Sequence, residues 1–479
     1  MDHTLVMGGG LAGVSAAHVL TASDHSVTVI EAGEQVGGLA RTVEHNGFRF
    51  DLGGHRFVTQ DQALENFVRN LLNEDCLIVP RSSKILLRNR YFDYPLKPLK
   101  AFFGFGPKMS AQILTDYLFE RLRARFISDT PVSLEDWVVM HFGRTMFNVY
   151  FRDYSEKVWG IDCQRIDQKW VEQRIQGLSL GKAIAKALLP SRGSDVATLA
   201  NRFLYPRFGI GQITDNLASD VRKKNEIHTQ TRVQFVNHSR SRIHSVKVLS
   251  NHRQSLLSAN QFISTLPLPV LVQSLRPLPP DYVLEAASQL RSRDLVTVTL
   301  MINKPRVTDQ TWIYVPEKSI PFGRIHEPTN WSRSMAPDGK SLLVVEYFCF
   351  RGDETWNSDD VDLVALTRKH LVDLGIISRD EIIDQVVLRT PNAYPLFEVG
   401  YSDHCRTINR YLETFENLYT AGRGGMFRYY NMDHAMQAGF DAAHSVLQRK
   451  IKPMESFSAP HNSGVLSAGA SRNSLGETV

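Results

Sequence analysis

Three glycines, Gly8, Gly10 and Gly13, stand in GxGxxG spacing directly after the apolar run Leu5 to Met7, and Glu31 closes a second apolar run, Val27 to Ile30. Each position has its own task in holding a dinucleotide. The first glycine permits a tight turn, the second lets a pyrophosphate approach the bare backbone, and the third lets the following helix lie close to the strand. Glu31 is placed to accept hydrogen bonds from adenosine ribose hydroxyls. Another glycine pair sits in GFRFDLGGHRF, residues 47 to 57, where strand-like alternation runs into Gly53, Gly54 and His55. Two adjacent glycines leave the main chain bare enough to pass close to a flat ligand, with an imidazole beside it. A β-turn carrying a surface histidine is the plainer alternative.

These residues need a βαβ unit to position them, and residues 3 to 32 predict one: strand, alanine-rich helix to Leu20, then strand. The helix N-terminus offers free N–H groups to the phosphates. The spacing leaves FAD and NAD both open. Past Glu31, EAGEQVGGLART places Gly37, Gly38 and Arg41. This resembles the FAD-binding signature of the flavoprotein group of amine oxidases, phytoene desaturases, protoporphyrinogen oxidases and UDP-galactopyranose mutases. The resemblance implies FAD. It also places Val233, in RVQFVNHSRSRIHSVKVL, near the adenine, where an ordinary β-meander is the competing reading. Near the end of the chain, a predicted strand, Asn417 to Ala421, leads into Gly422, Arg423, Gly424 and Gly425 and a helix from about Asn431. The resemblance sets Gly422, Arg423 and Met432 at the cofactor, with the helix dipole favouring negative charge on the flavin pyrimidine.

Within that group the order of motifs is similar to that of the UDP-galactopyranose mutases. GFRFDLGGHRF resembles their histidine loop over the isoalloxazine face, which implies Gly54 and His55 at the flavin. YFDYPLKP gives Tyr94 at a nucleotide-contacting tyrosine, and Lys97 where fungal-type mutases carry an amide near the uracil. YFRDYSEKVWGIDCQRIDQKWVEQRI implies Trp159 and Trp170 as packing rings and Arg174 as a diphosphate-binding arginine. TWIYVPEKSIPFGRIHEPTNWS implies Trp312 and Tyr314 flanking the site and Arg324 as the second arginine. AYPLFEVGY and FRYYNMD offer Tyr394 and Tyr429 as hydroxyl partners of the diphosphate. Two guanidiniums from separate segments suit a bidentate clamp, and aromatic rings suit stacking. For each arginine the alternative is a structural salt bridge.

The implied activity is a FAD-dependent pyranose/furanose mutase acting on a nucleotide sugar, with reduced flavin N5 as nucleophile at the anomeric carbon and NAD(P)H as a candidate reductant. The alternative is a FAD oxidoreductase of the amine oxidase, desaturase or protoporphyrinogen oxidase kind, taking hydride from substrate onto N5.

At 479 residues the chain exceeds one compact core. A net charge of +5 without a basic block argues against a nucleic-acid partner. Four scattered cysteines without CxxC spacing predict neither a metal site nor a disulfide framework, and a reducing, cytoplasmic setting. There is no apolar run long enough for a membrane span, although the amphipathic segment 96 to 126 fits either a packed stripe or a membrane surface. The expected fold is α/β: a discontinuous Rossmann-type FAD-binding domain (1–80, 200–275 and 405–450), a mainly helical domain (81–199) and a mixed β-sheet substrate domain (276–404). A disordered tail (453–479) is expected to follow. Ser133 is the expected N-cap of one helix, and another is expected from about Asp359 to Leu374.

Overall fold

The computed structural model of the chain describes residues 2–87, 90–94, 106–123, 126, 130–175 and 201–448, without the side chains of 172–175. Lys97, the Arg174 side chain and the tail 453–479 lie outside the described residues.

The strand His3–Met7, the helix Leu11–Ala22 and the strand Ser26–Ile30 form the βαβ unit, the two strands running parallel with Val6 opposite Val29. Strands distant in sequence complete this sheet. Gln261–Ser264 pairs with the free side of His3–Met7, Leu418–Thr420 lies beyond it, and Glu226–His228 pairs with Ser26–Ile30. All five strands are parallel, and their inner residues are apolar on both faces because helices cover both. The alanine-rich helix crosses the helix Met432–Leu447 at very close range. A Cβ at Gly439 would fall 2.2 Å from the Ala12 carbonyl oxygen, so only glycine fits the crossing. That contact ties the two ends of the chain together.

Thr231–Ser239, Arg242–Ser250 and Arg253–Ser258 form an antiparallel meander, joined in parallel by Leu275–Arg276. A larger sheet of seven strands runs in the order Ile382–Pro395, Ser292–Ile302, Ser341–Cys349, Arg324–His326, Trp312–Tyr314, Ser83–Leu87 and Arg90–Asp93. Its last two strands come from the range expected to be mainly helical. Ser83–Leu87 docks in parallel on Trp312–Tyr314 because Ile85, Leu86 and Leu87 bury there, a non-local reward that helix-period reasoning does not register.

The seven-stranded sheet divides its side chains between two cores. Val296, Val298, Ile325 and Val345 face the helix Asp360–Asp373 through Leu363 and Leu371. Each such burial is worth roughly 1.5–3 kcal/mol. Thr297, Glu346, Arg324 and Tyr314 form one cross-strand row on the opposite face, which looks toward the dinucleotide unit.

The helices Pro107–Arg123, Leu134–Phe142, Arg152–Trp159 and Gln168–Ile175 follow the strand Arg90–Asp93 in the chain. Ser133 caps the second as expected: its hydroxyl accepts from the Asp136 N–H, and its own N–H donates to the Asp136 carboxylate. The helix Pro107–Arg123 leaves Leu114, Leu118, Phe119 and Leu122 exposed, so this amphipathic stripe is not a buried one. Among the described residues no helix is long and apolar enough to cross a membrane.

Candidate active site

The first glycine of the loop adopts φ +107°, and a Cβ on Gly13 would meet the Gly8 carbonyl oxygen at 2.0 Å. Turn and close approach are therefore both glycine-only. The second glycine pair packs against the first: the Gly37 N–H donates to the Gly9 carbonyl at 2.8 Å, and a Cβ on Gly38 (φ +56°) would lie 3.1 Å from the Gly10 Cα. Glu31 accepts from the Gly9 N–H at 2.7 Å and the Gly33 N–H at 2.8 Å, which orients its carboxylate and leaves further lone pairs for hydroxyl donors. Thr231 donates its N–H to the Glu31 carbonyl at 2.8 Å, bringing half-buried Val233 to the same end of the sheet.

From the other end of the chain, Gly422 (φ +83°) abuts Ala12, and Met432 is the first residue of its helix. Neither that helix nor Leu11–Ala22 carries a side-chain cap, so both present main-chain N–H groups to a ligand. Buried Arg41 Nε and His55 Nδ1 have no hydrogen-bond partner among the described residues. A glycine-walled cradle, two open helix N-termini and orphaned polar atoms fit a flavin dinucleotide.

In the histidine loop Gly53 takes φ +114°, and a Cβ on Gly54 would fall 1.8 Å from the Trp312 ring. The bareness of Gly54 is thus required by an indole of the protein itself. Gly54 donates its N–H to Glu346 Oε1 at 3.2 Å. His55 is pushed down to about 4, first by burial and then by the Arg423 guanidinium, so it is neutral at physiological pH.

Arg324 leads from this loop into a partly open cavity whose walls include Trp159, Trp170, Tyr394 and Tyr429. Tyr154, Ser155 and Val158 complete the wall on the helix Arg152–Trp159. Arg324 Nη2 donates to Tyr394 Oη at 2.9 Å and pairs with Glu346 Oε2 at 2.7 Å. Register explains the pair, since Arg324 and Glu346 are direct cross-strand neighbours. Burial alone would raise the fully buried Glu346, but Arg324 and His326 hold it down at about 2. Burial likewise opposes the charge on Arg324, and Glu346 outweighs it.

Of the expected Arg174–Arg324 clamp, the described side chains include Arg324 alone. Arg324 arrives with its own buried counter-ion, and the side chain of Arg174 is outside the described residues. The second guanidinium that reaches these tyrosines is Arg423, placed by the sequence at the cofactor. Its Cζ lies 5.4 Å from the Tyr394 ring centre and 6.0 Å from that of Tyr429. Its Nε donates to the Tyr430 carbonyl at 2.7 Å and its Nη1 to the Ala393 carbonyl at 3.3 Å.

Trp159 and Trp170 meet edge to face at 5.1 Å, and Trp170 reaches Tyr429 at 6.2 Å. Tyr314 stacks at a tilt on Tyr94 at 4.7 Å and meets Tyr154 at 5.6 Å. Trp312 stands behind the cavity wall, in a stack with His326 (5.6 Å) and Trp331 (6.1 Å). Sequence reasoning missed Tyr154 and Glu346. For Glu346 a signal existed: it is the one carboxylate in the buried strand SLLVVEYFC. For Tyr154 there was none until the helix placed it one turn before Val158 and Trp159.

A model of the flavin-containing amine oxidoreductases matches residues 11–447. The chain belongs to this family. It is a flavoenzyme, and the family implies FAD in the cradle described above. Among solved structures, reduced UDP-galactopyranose mutase aligns with a TM-score of 0.83 at 20% identity, covering 94% of this chain and 97% of that one. A candidate protoporphyrinogen oxidase from Exiguobacterium sp. 255-15 aligns at 0.72 and 16% identity, covering 94% and 99%. Cyclohexylamine oxidase from Brevibacterium oxydans IH-35A aligns at 0.65 and 13%, covering 93% and 99%. These likenesses establish the α/β flavoprotein fold. The L-amino acid oxidase Cdc18 of Crotalus durissus cumanensis is 40% identical over 75 residues, 15% of either chain, so the match spans a small part of that curated relative.

Proposed function

We propose that this flavoenzyme is a sugar-nucleotide pyranose/furanose mutase or a close relative. The observation that supports it is the chemistry of the cavity. Two of its lining residues, Arg324 and Trp170, keep buried N–H groups (Nε and Nε1) without a partner among the described residues, beside the hydroxyls of Tyr394 and Tyr429. Such a wall suits an oxygen-rich, anionic substrate better than a polyene, which calls for a long apolar channel. We assign the segments 1–80, 200–275 and 405–450 to cofactor binding and the seven-stranded sheet to the substrate. The four unpaired cysteines support a reducing, cytoplasmic setting.

FAD, when bound and reduced, supplies a nucleophilic N5 for the anomeric carbon. The protein's own groups orient and exclude. Arg324, fixed by Glu346, and the hydroxyls of Tyr394 and Tyr429 hold the diphosphate and stabilise charge as it departs. Arg423 adds positive potential on the same side. His55 contributes a neutral imidazole nitrogen as a hydrogen-bonding group. Trp159 and Trp170 stack on the sugar and keep water out.

A second reading, the FAD oxidoreductase, is favoured by one feature: Glu346 neutralises Arg324, which weakens its pull on a dianion and suits a neutral or singly charged substrate. Turnover separates the two. With dithionite- or NAD(P)H-reduced protein, UDP-galactopyranose and a panel of other nucleotide sugars should give furanose products by chromatography, with no net consumption of electrons. Stoichiometric oxidation of an amine or amino acid, with no isomerisation across the panel, would overturn the mutase reading.

A further inference from the structure

The helix Arg152–Trp159 gives Tyr154 and Trp159 to one side of the cavity, and the strand Arg324–His326 gives Arg324 to the other. One partly buried side chain joins them. Lys157 Nζ donates to the main-chain carbonyls of Val315 at 2.7 Å, Glu317 at 2.5 Å, Ile320 at 2.8 Å and Phe322 at 3.3 Å. All four oxygens belong to the connection that leaves Trp312–Tyr314 and returns as Arg324–His326. An ammonium carries three hydrogens, so four carbonyls converging on it make a cage shaped around a cation. On the solvent side, Lys318 of the same connection pairs with Asp153 at 3.2 Å and Glu156 at 3.1 Å, but it is exposed and holds weakly. The C-terminal end of the helix is also anchored. Arg293 Nε donates to the Val158 carbonyl at 3.0 Å, and its Nη2 donates to the carbonyls of Lys157 at 3.3 Å and Phe348 at 2.9 Å. With the helix fixed at that end, Lys157 governs where the connection sits.

We propose that Lys157 is a positioning residue: by tying the helix Arg152–Trp159 to the 315–322 connection, it sets the distance between the Tyr154–Trp159 wall and Arg324. This rests on the reading of the cavity as the substrate site. Removing the ammonium leaves four carbonyls to find other donors, and the connection moves outward with Arg324 at its end.

The test uses FAD-loaded Lys157→Met, Lys157→Arg and, as a control on the solvent side, Lys318→Ala. Lys157→Met is expected to speed amide exchange across 315–323 by about tenfold or more. UDP affinity, followed by its perturbation of flavin absorbance, should fall about tenfold. FAD occupancy and melting temperature should stay near those of the wild type, which a residue serving only global stability would lower together. Lys157→Arg keeps the charge but replaces the compact ammonium with a planar guanidinium, and should show a smaller change in the same two readouts. Lys318→Ala should change neither. Unchanged exchange and UDP affinity in whichever Lys157 variant retains FAD would overturn the proposal, as would failure of both variants to load FAD. Exchange is read without substrate, so a wild type that ignores UDP counts against the nucleotide-sugar reading while the exchange data still decide Lys157.

Discussion

Glu346 shows at the scale of single residues why a buried charge can be both costly and indispensable. It holds the Arg324 guanidinium on one oxygen and the Gly54 N–H of the histidine loop on the other. Glu346→Gln strands a buried cation, and the expected loss is about 3–5 kcal/mol of unfolding free energy, measured by the denaturant midpoint. A loss below about 1 kcal/mol would mean that water already reaches the pair. His55 makes a separate prediction. The unfolded imidazole takes a proton below about 6.5, whereas the folded one refuses it until about 4. The folded state binds fewer protons across that window, so the His55 contribution to stability is intact above it and is lost as pH falls toward 4. Histidine-selective NMR of the oxidised protein should show His55 neutral at pH 5; a midpoint near 6.5 would contradict its enclosure beside Arg423.

Elements carry the cofactor logic, and here the sequence was readable because the constraints are local. Glycine spacing, the acid that ends the second strand, and the Ser133 cap all act within one turn or one βαβ unit, so they appear in residues 3–41 and 133–136 without any tertiary information. Gly13→Ala tests the unit. Its Cβ would press on the Gly8 carbonyl at 2.0 Å and push the helix off the strand. Overpacking of about 1–3 kcal/mol corresponds to FAD binding weakened by about fivefold to 150-fold. The fraction of flavin retained after desalting measures it. The strand Ser83–Leu87 was harder to see, because the strand it docks on, Trp312–Tyr314, lies more than 200 residues away.

At the scale of the whole molecule, the cofactor cradle draws on both ends of the chain: the glycine loops and histidine loop in the first sixty residues, and Gly422 to Met432 near the other end. FAD should therefore stabilise the protein as one unit. At free FAD a hundredfold above its dissociation constant, the expected gain is about 2.7 kcal/mol, seen as one concerted rise of the melting transition. Two separated transitions, with FAD moving only one, would show that the parallel sheet and the seven-stranded sheet unfold independently.

From sequence alone, one could read the dinucleotide cradle, the family likeness and most of the residues that meet at the cavity, since spacing within a short segment fixes which groups can cooperate. What folding alone settled was how those groups are charged and confined. Arg324 faces Glu346 because two antiparallel strands fall into one register, and Gly54 must be bare because Trp312 arrives from a strand far along the chain. Cross-strand register is chosen by the burial of whole faces, and no local pattern around Arg324 encodes which carboxylate will lie opposite it.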